Sequence, residues 1–128
     1  MSIPQGAEAA RPFLPAKDFL ASKRFYETLG FNKLLDGDVA IFQVGATGFI
    51  LQDAYVEAWA QNCMMQLMVD DLEAWWTHIA ELDLPASFDV QPPKPPAMQP
   101  WGLRVAYVYD PSGVLWHVSQ RRAGTPWD

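Results

Sequence analysis

The chain predicts an α+β fold in which two βαβββ modules form a curled mixed sheet, a cup with its helices outside. Three observations lead there. An order of strand, helix and three short strands runs through residues 11–53 and recurs through residues 63–120. The two runs align at an offset of 53, which pairs Asp18 with Asp71, Phe19 with Leu72, Tyr26 with Ile79 and Leu29 with Leu82. Each helix leads into a hairpin, which argues against a doubly wound parallel sheet, because parallel neighbours need a crossover each time. The 128 residues suit one domain, with residues 54–62 linking the modules.

Residues 1–10 are small, polar and aperiodic and read as a flexible arm. Residues 11–17 are apolar but carry Pro12 and Pro15, which cannot donate ladder hydrogen bonds and so point to an edge strand. Asp18 is suited to cap a helix whose face carries Phe19, Ser22, Tyr26 and Leu29, and Gly30 is placed to end it in the left-handed conformation. Residues 31–38 contain the turn signal Asp36-Gly37, residues 39–44 form the return strand, and residues 45–48 turn into a strand at residues 49–52.

In the second module residues 63–69 are an apolar strand and Asp71 caps a helix with Leu72, Trp75, Ile79 and Leu82 on one face. Residues 86–90 read as a strand and residues 91–99 as a proline-rich loop. The strands at residues 103–109 and 114–120 then flank the turn Asp110-Pro111-Ser112-Gly113.

Composition narrows the function classes. Half the residues are hydrophobic and 19% are charged, enough apolar surface to offset chain entropy, so disorder is not expected. No apolar run is long enough to span a membrane, and the opening residues lack the pattern of a signal peptide, so a cytoplasmic protein is expected. The single cysteine, Cys63, fits a reducing compartment and sits in an apolar run as a core thiol. The formal charge of -6 disfavours nucleic acid; it either attracts a cationic ligand or serves solubility.

Pro12-Phe13-Leu14-Pro15-Ala16-Lys17-Asp18-Phe19, Lys23-Arg24-Phe25-Tyr26-Glu27-Thr28-Leu29-Gly30-Phe31 and Asp110-Pro111-Ser112-Gly113 together resemble the vicinal-oxygen-chelate superfamily of glyoxalases, bleomycin-resistance proteins and extradiol dioxygenases. Gln99-Pro100-Trp101-Gly102 and the run from Asp110 to Trp116-His117 resemble its bleomycin-resistance branch. The resemblance implies a homodimer that closes the cup. It also implies sequestration of a small molecule, with bleomycin-like glycopeptides as one ligand class.

Metal-dependent relatives take ligands from the first and last strands of each half. Counting seven back from the two caps gives Arg11 and Met64, counting seven on from Asp110 gives His117, and the fourth position falls near Gln52. Of these only His117 is a good ligand for a divalent cation. No metal or other cofactor is therefore expected, and a non-catalytic binding protein is the leading reading. The alternative is a lyase, isomerase or dioxygenase of the same superfamily with metal on His117, Gln52 and water. A further alternative is a fold kept only for dimerisation or partner binding.

His117 is either a ligand contact in the cup or a satisfied interior histidine, and His78 reads as a helix-surface residue. Trp75 and Trp116 sit at core spacing, and Trp76 beside them covers an interface. Trp101, bracketed by Pro100 and Gly102, has no regular element to pack beneath and is the expected stacking surface for a planar, cationic ligand. Tyr55 and Trp59 in the linker either reach the mouth of the cup or form a dimer contact. Arg11, Gln52 and Met64 complete the expected ligand-binding set.

Overall fold

A computed structural model describes residues 3–122, so Met1 and Ser2 of the N-terminal arm lie outside the described residues. In chain order the elements are β1 (Phe13–Pro15), α1 (Phe19–Leu29), β2 (Asn32–Asp36), β3 (Val39–Val44), β4 (Thr47–Gln52), α2 (Glu57–Ala60), β5 (Met64–Val69), α3 (Leu72–Leu82), α4 (Leu84–Phe88), β6 (Lys94–Met98), β7 (Arg104–Tyr109) and β8 (Leu115–Gln120). They build an α+β fold of two four-stranded mixed sheets, ordered β1-β4-β3-β2 and β5-β8-β7-β6. In each, the first strand of the half pairs in parallel with the last and lies at the sheet edge.

The helix starts follow the expected chemistry. Asp18 accepts a hydrogen bond from the Ala21 amide at 3.1 Å and Asp71 one from the Ala74 amide at 3.0 Å, each cap worth about 1 kcal/mol. Gly30 ends α1 at φ 103°, where a side chain would be strained. β1 carries Pro15 and follows Pro12 on a sheet edge, where the missing amide hydrogens cost no ladder bond. His78 is half-buried rather than a plain surface residue: its Nε2 donates to the Leu29 carbonyl at 2.8 Å and ties α3 to the end of α1.

Two segments of the second half differ from expectation. Residues 86–90, read as a strand, belong instead to α4 and the turn that follows it. The chain leaves α3 through Asp83 and leaves α4 through Asp89, both left-handed at φ 48° and 53°, and Pro85 stands in the first turn of α4, where a helix needs no proline amide. Within residues 91–99, read as a loop, lies the strand β6. It bonds only to β7 at the sheet edge, and Pro95 and Pro96 fall at the register shift between Lys94 and Ala97, two settings that tolerate proline. The linker also contains a single helical turn, α2.

One buried cluster draws on both halves. Leu14, Phe25, Phe42, Phe49 and Leu51 from the first meet Ile79, Ala106, Val108, Trp116 and Val118 from the second. At its centre the Tyr26 ring lies 4.8 Å from Phe49 and 5.8 Å from Trp116. The Tyr26 hydroxyl donates to Asp110 Oδ2 at 2.6 Å and accepts from Trp116 Nε1 at 3.0 Å. Asp110 Oδ1 accepts from the amides of Ser112 and Val114 at 2.8 and 2.9 Å. The Lys17 amide donates to Ser112 Oγ at 2.8 Å, a further bond between the halves.

Asp110 is 2% exposed, and burial pushes its carboxyl up to about 6 against the opposing pull of the Tyr26 hydroxyl and the turn amides. Burial, followed by the neighbouring carboxylate, raises the Tyr26 phenol well above its ordinary range. Because the native Asp110 holds its proton more tightly than an unfolded one, its contribution to stability is full below about pH 4 and is lost as pH rises through about 6. The loss should reach about 3 kcal/mol. Urea unfolding of the parent and Asp110→Asn from about pH 4 to about pH 7 checks this: the difference between them should vary across that window. Tyr26→Phe should cost about 1 to 3 kcal/mol by leaving the carboxyl and the indole N–H short of a partner.

Candidate functional site

Alternation along the strands gives each sheet one face in the core and one turned away from it. In the second sheet Ala106, Val108, Trp116 and Val118 point into the core, so Tyr107, Tyr109, Leu115 and His117 share the other face. His117 pairs directly with Tyr107 on β7 and with Gln66 on β5. Its ring meets the Tyr107 ring edge-on at 4.9 Å.

Trp101 reaches the same place from the β6–β7 hairpin. The Gln99 amide bonds the Leu103 carbonyl at 2.8 Å and the Gly102 amide bonds the Gln99 carbonyl at 2.9 Å, with Gly102 at φ 90°. This turn carries Trp101 at its tip, where the indole is 54% exposed yet only 6.1 Å from the His117 ring. An exposed indole, an imidazole and a phenol thus line one strip of sheet surface.

His117 Nε2 is buried without a hydrogen-bond partner among the described residues, and so is Ser119 Oγ one position along the same face. Burial lowers the His117 pKa, which favours the neutral ring near neutral pH. A neutral imidazole adds no positive charge to the strip, and its Nε2 is a buried polar atom left without a partner among the described residues.

The other expected residues scatter. Met64 is exposed at the start of β5 beside Leu115, on the same face as Gln66 and His117. Arg11, ahead of β1, borders a small recess with Gln43 and Gly48 of the first sheet, and Gln52 ends β4 of that sheet between Pro15 and Val39. Tyr55 lies under the Lys17 ammonium, 5.5 Å from ring centre to Nζ, and Trp59 sits exposed on α2. The residues beside His117 that counting from the caps missed are Gln66 and Tyr107. The turn at residues 110–113 contained the signal for Tyr107, since a hairpin that sets Tyr109 opposite Leu115 also sets Tyr107 opposite His117.

The same pairings test the metal positions. The counterpart of the Gln66 and His117 pair in the first sheet is Phe13 and Ile50. Together with Arg11, Gln52 and Met64 these supply one imidazole, amides, a thioether, a guanidinium and apolar groups, a donor set that does not fit a catalytic divalent metal. No group of three His, Cys, Asp or Glu side chains able to hold a metal occurs among the described residues. None of the described helices is long and apolar enough to cross a membrane.

Residues 9–118 match the family profile described as the Glyoxalase/Bleomycin resistance protein/Dioxygenase superfamily. No curated protein matches the chain significantly. Among solved structures, a bleomycin-binding protein complexed with bleomycin is 27% identical with a TM-score of 0.75, over 91% of this chain and 100% of that one. A bleomycin-binding protein from bleomycin-producing Streptomyces verticillus, complexed with copper(II)-bleomycin, is 27% identical at 0.74, over 89% of this chain and 96% of that one. A bleomycin resistance determinant encoded on the transposon Tn5 is 25% identical at 0.73, over 91% and 99%.

The contrast between tryptophans is directly measurable. Trp116→Ala removes a buried ring and the indole bond to Tyr26 and should cost about 3 to 5 kcal/mol. Trp101→Ala should stay within about 1 kcal/mol of the parent. Half-buried Trp75 should fall between them. Thermal melts of the three variants rank them, and a Trp101→Ala variant that melts as low as Trp116→Ala would make the exposed indole a packing residue.

Proposed function

The chain belongs to the glyoxalase/bleomycin resistance protein/dioxygenase superfamily, and from that premise we propose that it binds and sequesters a planar, cationic small molecule without transforming it. Bleomycin-like glycopeptides are the first ligand class to test, because proteins that share the fold at 25–27% identity are described as bleomycin-binding or bleomycin resistance proteins. The observation that carries the reading is the exposed Trp101 indole held over His117 on an open sheet face. A flat ring can stack there, and a formal charge of -6 draws a cation towards the protein. Met64 and Gln66 extend the contact along β5. Sequestration in the cytoplasm needs no nucleophile, metal or general base, in keeping with the donor set around His117.

The working unit of this proposal is a homodimer. On the face of the first sheet turned away from the core, Phe13, Ile50, Ile41 and Leu35 stand side by side in register. Phe13 and Leu35 are 47% and 48% exposed, an apolar row suited to cover by a second copy. In such a pair Gln52 on the first sheet and Arg11 just ahead of it are available to the partner's ligand.

Titration with bleomycin, followed by calorimetry or tryptophan fluorescence, should show saturable binding. Trp101→Ala should weaken it by about ten- to a hundredfold, since stacking together with a cation over the ring is worth about 1 to 3 kcal/mol. Unchanged affinity in that variant would move the stacking surface elsewhere. Ultracentrifugation at micromolar concentration should give a dimer that Ile50→Glu dissociates, and a monomeric parent would remove the paired cleft.

A further inference from the structure

We propose a second binding site, separate from Trp101, that takes a small zwitterion carrying an ammonium and a carboxylate on an aromatic body, an aromatic α-amino acid or a molecule of that charge pattern. The site is a cavity of about 360 Å³ where the linker, the turn after α4 and the β7–β8 turn meet. Its size lies in the range of small-molecule sites, roughly 300 to 1,000 Å³.

Its rim carries one exposed charge of each sign with no ionic partner among the described residues. The Lys17 ammonium touches the Tyr55 ring but no carboxylate among the described residues. The Asp89 carboxylate has no hydrogen bond or ion pair there either.

Three further features shape the wall. Asp89 caps the end of α4 in a left-handed backbone at φ 53°, its amide donating to the Pro85 carbonyl, and this places it at the wall. The exposed side-chain amides of Gln61 and Gln91 and the Tyr109 hydroxyl line the cavity without hydrogen-bond partners among the described residues. Gly113 lies at φ 93°, a backbone that favours glycine, and its open side faces the end of the Gln61 side chain.

The charge pattern sets the ligand. A carboxylate answers Lys17, an ammonium answers Asp89, and the Tyr55 and Tyr109 rings offer flat walls to an aromatic body. Asp110 also borders the cavity, but both its oxygens already accept hydrogen bonds from Tyr26, Ser112 and Val114. Trp101 does not line the cavity, so the two sites can be separated by mutation.

The test is a ¹H–¹⁵N NMR titration with L-phenylalanine, L-phenylalaninamide, which lacks the carboxylate, and N-acetyl-L-phenylalanine, which lacks the ammonium. L-phenylalanine should give saturable shifts centred on the Gly113 amide and the Gln61 side chain, and both derivatives should bind about tenfold more weakly. Lys17→Met, which keeps the main-chain bond to Ser112, and Asp89→Asn, which tolerates the left-handed backbone, should each lose about tenfold. Trp101→Ala should bind L-phenylalanine as the parent does. Absence of saturable shifts with L-phenylalanine at tens of millimolar, equal affinity for all three compounds, or loss of binding on Trp101→Ala would each overturn the proposal. The bleomycin titration of the same variants reads the Trp101 site independently, so failure of one reading leaves the other measurable.

Discussion

The hydrogen bond from Tyr26 to Asp110 joins residues 84 apart and sits where the two halves of the molecule meet. A carboxyl group buried this deeply is costly unless its oxygens are satisfied, and here every donor that satisfies them is structural. The Ser112 and Val114 amides fold the β7–β8 turn around Oδ1, while Oδ2 takes the hydroxyl delivered by α1. The turn in turn fixes the hairpin register that sets His117 opposite Tyr107. The geometry of the strip beneath Trp101 therefore depends on a carboxyl group that never reaches it.

The tryptophans divide along the same line. Trp116 spends its indole N–H on Tyr26 and its ring on the shared core, whereas Trp101 is held at a hairpin tip with its ring in the open. Proline and glycine on either side of Trp101 make that possible, since Gly102 supplies the positive φ that closes the turn. The strip is thus a set of side chains on rigid strands with one loop residue laid against it.

Much of this was legible in the sequence because the signals were local. Asp18 and Asp71 announce helix starts, Gly30 a helix end, and residues 110–113 a turn, and each acts within four residues of itself. The errors came where locality fails. Proline in residues 91–99 argued against a strand, yet an edge position with a register shift accommodates it, and edge position is a property of the whole sheet. Counting seven residues from each cap reached Met64 and Arg11, whereas strand pairing puts Gln66 beside His117 and Phe13 beside Ile50. Distance along a chain does not report which residue of a parallel partner stands opposite. The cavity walled by Lys17 and Asp89 had no sequence signature at all, because its residues come from three separate stretches of chain.

The parallel pairing of β5 with β8 has a consequence for the order in which the molecule is made. A nascent chain can assemble the whole first sheet once residue 52 has emerged, since β1 and β4 are then both present. At that moment the Tyr26 hydroxyl has neither its acceptor nor its indole donor, and Phe42 and Phe49 face a core that is half absent. The second sheet stays open until residue 120 arrives, because its first strand waits for its last. Closure of that sheet is one long-range event, slow in the way that non-local strand pairing is slow. Until then the apolar flank of the early half is exposed to other chains on the ribosome, a period in which chaperones have a substrate and the finished protein does not yet exist.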